Sequence, residues 1–523
     1  MSRMRVFHNS MRLLMGGIGS AYPSGGSRNA NNCPSRIRLR PIPDTHFGRW
    51  PWFEVACILM KGKKLFQWMP ALVALCVLVE GLFFIGVTLP GHVPDIWAHV
   101  YRVDAILNGD VVARPVSSRS MLHNTENGVV GGAVNREWMR YSLEQYDGYD
   151  PAVVIPESVK DDSNSTVDLP FNNTAINSPV VYAPQLVGFA AGRVLSLSAG
   201  ITYHLAEVCM LSVYVLLMYC SVRALPKWRI PVGLLLCLPQ MVRLASFSIS
   251  ADSVTQGMAI LLSCLLFREI VSKRSVSSAV RLAVVSVILA MCKFIYLPLV
   301  LLSIPTIFDS ANKALDGRMR LRINRGRAIP ILIGTFISGV WVLLWLKINA
   351  WYTNCPMMVS YEQMTARKRA LLTDPDVCVD AIRNIVWSVV HAQSNMNVKI
   401  SSVYIALCWL AILIVLILLF FVSIRTADIN KREPSAVVGA CLDGSHGRRL
   451  TYVLPLPYAW LIVLLCIGDI LLIYLALWLQ YNPSGTVGVD GMQYRYFLPL
   501  SALFAIVASE SIFRLFSFRH EKD

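Results

Sequence analysis

The segment Gly91–Arg102 carries Asp95, His99 and Arg102 at spacings of i, i+4 and i+7, directly after the first long apolar run, Phe66–Leu89. On a helix those three side chains share one face. Pro94 suits the first turn of such a helix, where its missing N–H has no intrahelical partner anyway. An acid, an imidazole and a guanidinium are thus expected in a row where a membrane span meets water. Taken alone, the pattern reads equally as a solvated face with a favourable Asp near a helix N-terminus. Three further polar groups sit at comparable places. Asp252 lies in the turn Ser250–Ser253, Lys293 interrupts an apolar run, and Tyr494-Arg495-Tyr496 precedes the last run. Each has an ordinary reading: a turn residue, a snorkelling lysine, an interfacial anchor. Together, an acid and several cations on one rim suit a phosphate-bearing substrate and a general base.

The chain that must position them has 523 residues, 55% hydrophobic and only 15% charged. Several apolar runs reach 18 residues or more, so the fold class is an all-α polytopic membrane protein. The formal charge of +16 sits between apolar runs. It therefore reads as membrane topology, and no nucleic-acid partner is expected. Most of the 13 cysteines fall inside apolar runs with no CxxC pair and no metal spacing, so no metal site is read from them. Cys355 and Cys378 share one loop and could pair.

Residues 1–59 are basic and rich in Ser, Asn, Gly and Pro, and are expected to be disordered. Met60 with Lys61, Lys63 and Lys64 resembles a start, and the lysines form a cytoplasmic flank. Residues 60–523 are expected to form one membrane domain. Residues 90–200 and 349–401 are expected outside the cytoplasm, and both termini inside. The first of these loops contains the sequon-like Asn164-Ser-Thr and Asn172-Asn-Thr. Ser178–Leu197 is broken by Pro and Gly and reads as an interfacial helix. Ile230–Ile249 reads as a span. Residues 279–308 have basic flanks on both sides, which predicts two short helices with Lys293 at the outer tip. The total is about ten spans in a cell membrane. No inverted repeat is visible, which disfavours a repeat-built transporter.

Five stretches resemble, in order, motifs of the bacterial membrane family called domain of unknown function 2142. Pro94-Asp95, His99 and Arg102 resemble its Pro-Asp-Glu-x-x-His-x-x-Arg pattern, and Ser178–Gln185 its Ser-Pro-Leu-Tyr-Tyr-Leu-Pro-Gln stretch. Ser250-Ala251-Asp252 resembles its Ser-Ala-Asp turn, and Lys293–Pro298 its Lys-x-x-Tyr-Leu segment. Gly491–Pro499 resembles its Gly-Val-Gln-Gly-Arg-Tyr-Phe-Leu-Pro signature. That family is similar to membrane glycosyltransferases of the GT-C type. The resemblance implies a GT-C-like bundle with its active site on the outer rim, a sugar donor carried on polyprenyl phosphate, and a first-loop Asp near the reaction centre. Ile96 stands where the family usually has Glu, which weakens any divalent-metal site built on an Asp-Glu pair.

On this reading Asp95 is the base. His99 and Arg102 orient it or contact phosphate, Lys293 and Arg495 stabilise the leaving phosphate, and Asp252 and Tyr494 complete the substrate site. The acceptor is a glycan, lipid or protein. A transporter of lipid-linked sugars would instead use ionisable groups within the spans. The candidates are Glu80, Glu207, Arg243 and Asp469, the last expected to bond Arg243. A non-catalytic partner in polysaccharide assembly is the third reading. The glycosyltransferase reading requires Asp95, Asp252, Lys293 and Arg495 to converge on one cavity, with the Ser178–Leu197 helix as a nearby wall.

Overall fold

The computed structural model describes residues 63–116, 130–145, 165–243, 245–271, 275–310, 321–349, 359–392, 399–432, 454–483 and 485–517. The N-terminal segment 1–59, Asn164 and Cys355 lie outside them. The apolar runs fold as helices because a chain in lipid must satisfy every backbone N–H and C=O within itself. Among the described residues seven helices are long and apolar enough to cross a membrane.

Six of these spans, in order, are α1 (Lys63–Val87), α5 (Ala199–Ala224), α8 (Ala251–Val271), α11 (Arg325–Ile348), α14 (Lys399–Arg432) and α15 (Leu456–Tyr481). The seventh, Tyr494–Phe516, combines two 3₁₀ turns with α16 (Ser501–Ser517). Between α1 and α5 lie α2 (Ile96–Leu107), strands β1 (Arg114–Pro115) and β2 (Val130–Asn135), α3 (Arg136–Glu144), β3 (Thr166–Pro170) and α4 (Ala183–Val194). The three strands form one antiparallel sheet in the order β1-β2-β3, with Gly132 opposite Leu169. Helix α2 packs on β2 and α4 packs on α5. The sequon residue Asn172 belongs to this layer: it is buried, and its Oδ1 accepts from the Val130 N–H at 3.1 Å.

Burial separates the spans into two kinds. Helix α8 buries 83% of its most apolar window, whereas α1 and α11 bury 22% of theirs. An apolar helix buried all round is the core of a bundle, so α8 is the axis and α1 and α11 are its outer shell. The outer helices turn rows such as Leu72, Leu75, Val79 and Phe83 outwards. Close packing uses small residues: a Cβ on Gly334 of α11 would lie 2.7 Å from the Ala283 Cβ of α9 (Val276–Cys292).

Three of the ten expected crossings are not long helices. Ile230–Ile249 divides into α6 (Arg229–Leu236) and α7 (Pro239–Val242). Leu238 precedes a proline and takes an extended conformation, which ends the helix. Eight residues of helix span only ~12 Å of a ~30 Å hydrocarbon core. Residues 279–308 do divide at Lys293, whose backbone is extended between α9 and the 3₁₀ turn Phe294–Tyr296. The next helix, α10 (Leu297–Leu301), is a little over one turn long.

Candidate functional site

Asp95 stands one residue before the helix expected to contain it. Helix α2 starts at Ile96, and Asp95 is its N-cap with φ 60° and ψ 12°. This left-handed conformation is tolerated by Asp better than by most residues and is a local strain. It also turns the carboxylate away from its own helix. Oδ1 accepts from Asn173 Nδ2 at 2.9 Å, and Oδ2 accepts from Arg495 Nη2 at 2.9 Å.

Arg495 reaches it from 400 residues further along the chain. Gly491, at φ +80°, bends the backbone into the 3₁₀ turn Tyr494–Tyr496 that carries the guanidinium. Arg495 Nη1 lies 3.1 Å from Asp252 Oδ2, and the other Asp252 oxygen takes the Lys293 ammonium. Asp252 sits in the first turn of α8, a favourable place for an anion. Lys293 is exposed to the same space because α9 stops there. Both cations also lie over the Tyr496 ring, Lys293 Nζ at 5.7 Å and Arg495 Cζ at 5.5 Å from its centre. The result is a chain of alternating charge, Asp95–Arg495–Asp252–Lys293, with two acids and two bases.

These four residues line one cavity of about 200 Å³. Trp341 and Trp345 of α11 and Ile473 and Leu477 of α15 supply its apolar wall. The side chains remain partly accessible, from 11% for Arg495 to 31% for Asp95. Ser178 also lines it and donates to the Met291 carbonyl at 2.5 Å. The segment running into α4 therefore stands beside the site.

His99 lines the cavity from α2, one turn after Asp95. Its Nδ1 lies 2.6 Å from the Tyr182 hydroxyl, which accepts from Asn177 Nδ2 at 3.1 Å. The hydroxyl proton is then directed at Nδ1. With the hydroxyl donating, Nδ1 is the acceptor and the ring proton is assigned to Nε2, 3.4 Å from Ser250 Oγ. Burial pushes the His99 pKa down to about 4 against the opposing pull of Asp95 and Asp252, so the ring is neutral at pH 7. Burial likewise raises the Tyr182 phenol, keeping its proton in place.

Two expected substrate contacts are elsewhere. Arg102 is fully buried and does not line the cavity. Its guanidinium donates to the carbonyls of Asp110 at 2.9 Å, Val111 at 2.7 Å and Asn177 at 3.2 Å. It fastens the chain beyond α2 and the segment before Tyr182, a bracing role. Tyr494 turns the other way, its ring 5.1 Å from that of Tyr404. Tyr496 takes its place at the cavity, because two steps along a three-residue turn move a side chain to another face. Asn173, Tyr182 and Ser250 were also unforeseen as site residues. Asn173 sat inside a sequon-like triplet, and Tyr182 and Ser250 lay within the quoted motifs without a chemical signal of their own.

Ile96 is buried at 2% exposure and does not line the cavity, so the residue type there acts on the core. Among the described residues no three His, Cys, Asp or Glu side chains are grouped to hold a metal ion. The two carboxylates are instead bridged by one guanidinium. Asp469, expected to bond Arg243, is fully buried in α15, and neither carboxyl oxygen has a hydrogen-bond partner among the described residues. Arg243 is exposed.

No curated protein and no solved structure matches the chain. The family model described as "Predicted membrane protein (DUF2142)" matches residues 78–504, a span that includes Asp95, Asp252, Lys293 and Arg495. The chain belongs to this family of membrane proteins, domain of unknown function 2142.

Proposed function

We propose that this protein is a GT-C-like membrane glycosyltransferase that draws its sugar from a polyprenyl-phosphate carrier in cell-surface glycan assembly. The observation that carries the reading is the convergence of two carboxylates and two cations, from four distant segments, on one cavity with an apolar wall. The cations suit a phosphate, and the Trp341–Trp345 and α15 faces suit an isoprenoid chain passing between helices. The site faces outward from the cytoplasm, and both termini lie on the cytoplasmic side of a cell membrane. Supporting this are the basic residues Lys61, Lys63, Lys64, Arg425, Lys431 and Arg432, which border apolar runs in the sequence at their expected cytoplasmic ends.

At rest Asp95 is a weak base, because Arg495 neutralises it. A donor phosphate competes for Arg495 and Lys293, and its binding loosens the Asp95–Arg495 pair. The carboxylate then takes the proton of an acceptor hydroxyl as that oxygen bonds to the sugar's anomeric carbon. The carbon–oxygen bond to phosphate breaks, and the phosphate leaves with the electron pair, held by Lys293 and Arg495. The products are a glycosylated glycan, lipid or protein and free polyprenyl phosphate. His99, as an Nε2–H donor, orients oxygen atoms without taking a proton.

The test is sugar transfer by the purified protein in liposomes containing polyprenyl-phosphate sugars. Asp95→Asn is expected to abolish transfer while the protein still folds in the membrane; transfer at the wild-type rate would overturn the assignment. One observation favours a second reading. The Asp469 carboxyl inside a span, without a hydrogen-bond partner among the described residues, suits a proton- or substrate-conducting path. Movement of a lipid-linked sugar across liposomes without any acceptor would select the transporter.

A further inference from the structure

The segment between spans α11 and α14 contains α12 (Tyr361–Thr373) and α13 (Pro375–His391). Helix α13 begins cleanly, with the Asp374 carboxylate accepting from the Asp376 N–H at 3.0 Å. Its 17 residues divide into three sectors at 3.6 residues per turn. Ala381, Asn384, Ile385 and Ser388 face inwards and are buried. Val379, Ile382, Val386 and Val390 form an outward row, exposed at 62, 55, 54 and 71%. Asp376, Asp380 and Arg383 occupy a third sector, and Arg383 and Asp380 pair at 2.5 Å in the open.

The inner sector has a definite task. Asn384 Oδ1 accepts from the Gly488 N–H at 2.8 Å, and Ser388 Oγ accepts from the Val489 N–H at 2.5 Å. Asn482 Nδ2 donates to the Gly488 carbonyl at 2.7 Å from the end of α15. Arg367 of α12 lies over the Trp478 ring at 4.8 Å and donates to the Asn482 carbonyl. Helix α13 therefore sits at the cavity's end of the bundle, holding the loop that leads into Arg495.

A helix with one face on protein, one apolar and one charged fits a boundary between lipid and water. A wholly aqueous site would leave four branched apolar side chains in water, and a membrane-crossing position would bury Asp376, Asp380 and Arg383 in hydrocarbon. The helix lies in the chain between two spans, so both its ends stay near one membrane surface. The apolar row continues the character of the exposed α11 end, Leu343, Leu344 and Ile348.

We propose that α13 docks on the bilayer, with Val379, Ile382, Val386 and Val390 in the headgroup–acyl boundary. The docked helix clamps the Gly488–Val489 loop and so steadies Arg495, whatever reaction the cavity performs.

The test uses the full chain in lipid nanodiscs, with its accessible native cysteines replaced and one spin label placed at a time. Labels at Val379, Ile382, Val386 and Val390 are expected to collide more with oxygen than with a water-soluble nickel chelate. Labels at Asp376 and Asp380 are expected to show the reverse. Nickel access at all six positions would place the helix in water and overturn the proposal. Shielding of the four apolar positions from both reagents would mean a protein partner and would overturn it too. A second measurement is amide exchange of Gly488 and Val489, which should quicken about tenfold in Ile382→Glu/Val386→Glu if docking holds the loop. Unchanged exchange of Gly488 and Val489 in that variant would overturn the claim that docking holds the loop.

Discussion

Helix α8 carries an ion cluster at each end, and the two differ in one respect. Asp252 and Glu269 are 17 residues apart, about 25 Å along the axis. Glu269 pairs with Arg327 Nη2 at 3.5 Å, their side chains 2 and 1% exposed, and Arg327 also donates to the Thr306 carbonyl at 2.5 Å. Asp252 pairs with Lys293 and Arg495, and its side chain is 21% exposed on a cavity. Both ends pair a carboxylate of α8 with an arginine; the space around the pair is what differs. A sealed pair can fix the register of helices but cannot exchange partners with a ligand. An open chain of alternating charge can, because each of its ions already retains some contact with solvent.

The largest expected effect tests the sealed end. Arg327→Leu breaks the buried pair with Glu269, which costs about 3–5 kcal/mol. Thermal unfolding in detergent should show this loss, and Glu269→Leu/Arg327→Leu should recover much of it, since a buried apolar pair replaces an ion pair at little cost. If the single variant were no less stable than Asp252→Asn, the two ends would not differ as described. The next effect belongs to the open end. On the proposed function, Arg495→Gln should lower sugar transfer by roughly 10²–10³-fold, the scale of losing one charge-stabilising donor. Its melting temperature should fall less than that of Arg327→Leu. A variant that keeps transfer but unfolds would make Arg495 a second structural lock.

Asp95, Asp252, Lys293 and Arg495 were legible because each is a polar residue where an apolar pattern breaks, and such breaks are visible in a linear sequence. The interruption at Lys293 in particular set the end of α9. Arg102 was not legible as a brace. Its spacing from Asp95 is helical, but its partners are carbonyls of residues 110, 111 and 177, and long-range wrapping leaves no local mark. The 230–249 segment reads as a span because its mean hydropathy outweighs the single break at Pro239. The relay Asn177–Tyr182–His99 joins residues up to 83 apart and could be found only in three dimensions.

That relay gives the third effect, on pH. The His99 pKa is about 4 when folded, against 6.5 for the free group, so between these values the unfolded chain binds the extra proton. Stability attributable to His99 is present above pH 6.5 and is lost as pH falls towards 4, by about 3 kcal/mol in all. Melting of the wild type should therefore drop more steeply over that window than melting of His99→Gln. Parallel curves would mean that folding leaves the His99 pKa near its free value of 6.5. Burial sets the sign: it outweighs Asp95 and Asp252, which favour the charged ring, while Arg495 and Lys293 oppose that charge.

The smallest effect isolates the Tyr182 hydroxyl. Tyr182→Phe keeps the ring packed against His99 and removes one buried hydrogen bond on each side of the oxygen. About 1–3 kcal/mol of stability should go, because Nδ1 and the Asn177 amide are left without that partner. The informative change is in the tautomer. Without a donor aimed at Nδ1, nothing fixes the ring proton on Nε2, and nitrogen-labelled His99 should shift from one tautomer to a mixture. If the proton rests on Nε2 in the variant as in the wild type, Ser250 holds it there and the relay through Tyr182 is redundant. If it moves, the open end of α8 is set by a chain of hydrogen bonds as well as by its ions, a second respect in which it differs from the sealed end.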